Sequence, residues 1–106
     1  MKKLSSELNL IVSTKSFMYV KEIIDLYQHT KDYRVKKLWE VYNVLAKKYN
    51  VSIEAINMGV FRYLQQSMKK IKLVYPNINP NNDYTLDTKE ILVRLADICE
   101  EKGCEF

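Results

Sequence analysis

Two glycines and two prolines in 106 residues leave this chain little with which to turn sharply. Glycine supplies left-handed backbone and proline presets turns, and sheet folds with many tight turns draw on both. A chain so poor in them is expected to run in long helices with few connections. Its length allows one hydrophobic core, and 47% apolar with 28% charged residues is the balance of a globular domain rather than of a disordered tail. The expected fold is all-α: one domain of five to six helices around a central helix-turn-helix.

Apolar spacing places these helices. Residues 1–14 read as a short N-terminal helix and loop, because Ser5, Ser6, Glu7 and Asn9 interrupt what would otherwise resemble a signal peptide. In Ser16–Gln28, Phe17, Val20, Ile23, Ile24 and Tyr27 form one buried stripe, with Ser16 as the N-cap. Tyr33–Tyr49 repeats the pattern through Val35, Leu38, Trp39, Tyr42, Leu45, Ala46 and Tyr49. A third helix runs from Ile53 to about Lys72, capped by Ser52 with Glu54 in its first turn. Residues 74–87 are rich in asparagine and hold both prolines, the mark of a loop. The closing helix spans about 88–102, with Asp87 and Glu90 placed for a capping box and Gly103 for a stop.

Charge is segregated along the chain. Residues 1–75 carry 14 Lys and Arg against 6 Asp and Glu, whereas residues 76–106 carry 3 against 7. A basic body with an acidic tail suits contact between the first part and a polyanion. Cys99 and Cys104 lie five apart at the end of the closing helical stretch, where their side chains are expected to diverge as free thiols suited to a reducing cytoplasm. His29 is the only histidine, so no zinc spacing exists. No nucleophile elbow or phosphate-cradling glycine loop is present, and no apolar run spans a membrane. Neither an enzyme, a cofactor nor a small-molecule substrate is expected.

The most informative stretch is Leu45–Leu64. A helix-turn-helix needs apolar contacts where its helices meet, a small residue for close crossing, and a turn residue tolerant of left-handed geometry. Leu45 and Tyr49 provide the contacts, Ala46 the small residue and Asn50 the turn. Val51 is expected to plug the corner, Ser52 to cap the second helix, and Ile56 and Val60 to face the core.

Three segments resemble the DNA-binding effector domain of the sporulation master response regulator of spore-forming Firmicutes. They are SFMYVKEII at 16–24, VYNVLAKKYNVS at 41–52 and KEILVRLADIC at 89–99, in the family's order and approximate spacing. The resemblance covers the chain from about Leu8 onward. It implies a six-helix fold that binds promoter duplex DNA, often as tandem copies. The family's phospho-accepting receiver domain has no counterpart in these residues, which implies either a fragment or a free-standing effector without phosphorylation control. The recognition helix also departs from the pattern: Met58 and Phe61 stand where the family has arginines, Arg62 where it tends to have histidine, and Asn57 where it has glutamate.

Helical geometry turns Ile53, Glu54, Asn57, Met58, Phe61 and Gln65 outward, with Arg62 beside them, as candidates for reading bases. Arg34, Lys36, Lys37, Lys47, Lys48, Ser52, Lys69, Lys70 and Lys72 are the phosphate candidates. The alternative expectation is a protein-protein or homodimer contact through Met58 and Phe61.

Overall fold

Thr14, not Ser16, starts the first long helix. The computed structural model describes residues 2–79 and 86–106. Within them lie helices α1 (Leu4–Glu7), α2 (Lys15–His29), α3 (Leu38–Tyr49), α4 (Ile53–Val74) and α5 (Thr88–Lys102), with a 3-10 turn at Lys31–Val35. The Phe17 N–H donates to Thr14 Oγ1 at 3.1 Å, which fixes the cap two residues earlier than expected. Residues 80–85 of the asparagine-rich loop lie outside the described residues. Of its remainder, Val74 still belongs to α4, while Ile78 and Asn79 are buried.

Helix α2 is the hub. Phe17, Tyr19, Val20, Ile23, Ile24 and Tyr27 are all buried, and the helix packs against α4 on one side and α5 on another. Each such side chain contributes about 1.5–3 kcal/mol by leaving water. Helix α4 presents Ile56, Val60, Tyr63, Leu64, Ser67, Met68 and Ile71 to this core, and α5 presents Ile91, Leu92, Leu95, Ala96 and Cys99. Gly59 lets α2 and α4 approach closely: a Cβ there would lie 3.1 Å from the Tyr19 ring and 3.3 Å from Ser16 Oγ.

The stretch Tyr33–Tyr49 is not one helix. The 3-10 turn ends at Val35, Lys36 and Lys37 are extended, and α3 begins only at Leu38. Glu40 reaches back to accept the Lys37 N–H at 3.0 Å, so a new helix start is capped where continuity was expected. The break changes the facing of the side chains before it relative to α3. Val35 is 86% exposed and Trp39 55% exposed, although both were expected in the buried stripe, while Val41, Tyr42, Leu45 and Ala46 are buried.

The two ends of the fold close on each other. The Leu4 and Ser5 amides donate to the Glu105 and Phe106 carbonyls at 2.8 and 2.9 Å, and the buried Phe106 ring stacks on Phe17 at 5.9 Å. Gly103, with φ +64°, ends α5 in a Schellman turn whose Cys104 N–H returns to the Cys99 carbonyl at 2.9 Å. That turn folds Cys104 back beside Cys99, so the two side chains converge rather than diverge. Both thiols are free and buried.

Candidate nucleic-acid interface

Asn50 makes the turn between α3 and α4. Its backbone is left-handed (φ 54°, ψ 49°), the conformation that asparagine tolerates better than other non-glycine residues. The Val51 N–H then donates to the Ala46 carbonyl at 3.0 Å, and Ser52 Oγ accepts the Ala55 N–H at 3.1 Å, so one helix is closed and the next opened within three residues. Leu45 and Ala46 are buried behind the turn, as are Ile56 and Val60 on α4. Val51 does not plug the corner and is exposed. The corner is filled by Tyr19, which lies against Gly59 and meets Tyr49 edge-on at 5.3 Å.

Beyond the turn, α4 keeps one face bare. Glu54, Asn57, Met58, Phe61, Arg62 and Gln65 are all exposed, whereas Ile53, expected to join them, is half-buried against the core. Glu54, Asn57, Met58, Phe61 and Gln65 follow steps of three and four and share one side of the helix. Met58 is 49% exposed and Phe61 42%, so two large apolar groups sit next to each other in solvent. With 22 residues, α4 is about 33 Å long.

Arg62 stands at the edge of this face and borders a cleft of about 240 Å³ that separates α4 from the start of α2. Thr14, Ser16, Gln66 and Lys70 also line the cleft. Lys70 Nζ donates to the Asn9 carbonyl at 2.8 Å, and the Tyr63 hydroxyl donates to the Ile11 carbonyl at 2.7 Å, so the N-terminal loop is tied along α4. Sequence reasoning missed Thr14, Ser16 and Gln66. The spacing of Thr14 from Phe17 signals a cap, but only the crossing at Gly59 brings that cap to α4.

The cationic candidates divide into separate groups. Arg34 is withdrawn from any nucleic-acid role: its Nη1 meets Asp97 at 2.6 Å, its Nε donates to the Tyr27 carbonyl at 2.8 Å, and its side chain is only 18% exposed. Lys48 pairs with Glu22, which raises the lysine's pKa and offsets its charge. Lys36 and Lys37 are exposed but precede α3, a full helix length from the turn. Lys47 at the end of α3 and Lys69 on α4 are exposed, and Lys72 is half-buried. Ser52 uses its oxygen as a cap acceptor, which leaves its hydroxyl proton able to donate.

The acidic tail does not lie over α4's bare face. Helix α5 packs on α2, and three of its carboxylates have partners away from α4: Asp97 takes Arg34 and Glu100 takes Lys31 at 3.2 Å, both in the 3-10 turn, and Glu90 takes Arg94 of α5 itself at 3.0 Å. Among the described residues no group of three His, Cys, Asp or Glu side chains could hold a metal ion, and no helix is long and apolar enough to cross a membrane. Set against known protein families, curated proteins and solved structures, the chain matches none.

Proposed function

We propose that this protein is a cytoplasmic transcription regulator that binds duplex DNA through its helix-turn-helix, with α4 in the major groove. The observation that carries this reading is the bare face of α4 behind a properly closed turn, with the acidic helix packed elsewhere. A helix of this kind fits the major groove, and its exposed Asn57, Arg62 and Gln65 carry the donors and acceptors that base edges and phosphates require. Lys47, Lys69, Lys70 and the Arg62 cleft supply cations around it. The resemblance of residues 16–24, 41–52 and 89–99 to the sporulation effector domain supports the same role, including tandem binding on adjacent sites.

An electrophoretic shift with random-sequence duplex tests it. Four phosphate contacts give a log–log salt slope of about −3.6, so affinity is expected to fall roughly 100-fold between about 50 and 200 mM salt. The Lys47→Ala/Lys69→Ala variant should bind more weakly on every sequence and show a shallower slope. Absence of any shift at low salt would remove the reading.

The exposure of Met58 and Phe61 favours a second reading, in which this face docks a second copy of the chain. Sedimentation of a dimer that Phe61→Ala dissolves, in a protein that leaves duplex unshifted, would select it.

A further inference from the structure

We infer that the α4 face reads the C5-methyl groups of pyrimidines in the major groove, so that the preferred duplex is rich in thymine. This inference rests on the DNA-binding reading and specifies its substrate.

Met58 and Phe61 are one helical step apart, half-exposed, and central on the side of α4 that no other element covers. Side chains of this size gain from contact only where they meet apolar surface. On base edges of the major groove that surface is chiefly the thymine methyl; guanine offers O6 and N7 acceptors and cytosine an N4 donor. Pressing a phenyl ring or thioether against those polar atoms would desolvate them without a partner, which is unfavourable. The same two side chains therefore favour thymine over guanine and cytosine.

The neighbouring groups agree with this choice. Asn57, exposed and immediately before Met58, has the carbonyl and amide that pair with adenine N6 and N7. Arg62, which would otherwise favour guanine, stands at the edge of the face and borders the cleft beside Thr14, Ser16, Gln66 and Lys70. Charge favours nucleic acid as the occupant: Lys47 before the turn and Lys69 on α4 are exposed, Glu54 is the one carboxylate on α4, and the acidic α5 packs on α2.

Four duplexes of matched length separate the outcomes: an A·T duplex, the same duplex with uracil for thymine, a G·C duplex, and the same duplex with 5-methylcytosine. Uracil lacks only the methyl group. With two methyl contacts at about 0.8 kcal/mol each, its substitution is expected to weaken binding roughly 15-fold. Methylation of cytosine is expected to strengthen binding to the G·C duplex. Phe61→Ala, checked for folding by circular dichroism, should shrink the thymine–uracil gap to about 4-fold. Equal affinity for thymine and uracil duplexes, with binding intact, overturns the inference and leaves DNA binding standing. Failure to bind any of the four overturns both.

Discussion

Gly59 and Asn50 are small residues with large consequences. At Gly59 the helix would gain about 1 kcal/mol from alanine's propensity, but the added Cβ meets a Tyr19 ring already held by Tyr49. Overpacking against a trapped ring costs about 1–3 kcal/mol. Gly59→Ala is therefore expected to lower stability by about 1 kcal/mol in urea denaturation, whereas an unconstrained helical glycine would give a gain. Asn50 works through backbone rather than contact. Asn50→Gly should be neutral or slightly stabilising, and Asn50→Val should cost about 1–2 kcal/mol because a β-branched residue resists a φ of 54°. Equal stability of these two variants would mean that the turn does not hold its left-handed form.

At the scale of elements, the capping side chains explain where the helices begin. Thr14, Ser52 and Asp87 each accept an amide three residues on, and the Glu40 carboxylate, accepting the Lys37 N–H, holds the start of α3. Two of these starts, at Ser52 and Asp87, agree with the caps read from the sequence; Thr14 lies two residues before the cap read at Ser16, and the start of α3 divides a stretch whose periodicity looked continuous. Lysine is a poor cap, so Lys36 and Lys37 gave no warning of a break. The signal was Glu40, three residues after an extended Lys37. Val35 is exposed for this reason, although its spacing alone assigned it to the core. Periodicity identifies a face only while the helix that carries it is unbroken.

For the molecule as a whole, the radius of gyration of 12.9 Å is that of a well-packed domain of this length. Its closure depends on the last residue. Phe106 is fully buried against Phe17, and its carbonyl receives the Ser5 amide. Phe106→Ala is expected to cost about 3–5 kcal/mol, a large share of the stability of a small domain, and to lower the denaturant midpoint accordingly. Alkali should also act on the whole core. Burial raises Tyr27, Tyr63 and the Cys99 thiol to about 12, and Tyr42 higher still. Each group keeps its proton more firmly folded than unfolded. The stability this gives is complete below the ordinary values of 9 for a thiol and 10 for a phenol, and is lost as pH climbs through about 12. Thermal midpoints should accordingly drop above pH 9–10, with phenolate absorbance of these tyrosines rising late. A midpoint flat over that range would contradict the burial of these groups.

The sequence by itself determined the helical class, the turn at Asn50, the caps of α4 and α5, and, Ile53 apart, the residues of α4 that face outward. All of these follow from local chemistry: breakers, capping spacing and the 3.6-residue period act within a few positions of one another. Tertiary structure alone decided that Arg34 serves Asp97 instead of a ligand, that Cys104 folds back beside Cys99, that Phe106 completes the core, and that Thr14 and Ser16 join the α4 face. Each of these depends on groups far apart in the chain or on a turn that reverses its direction, and no period in the sequence records which distant partner fills the space.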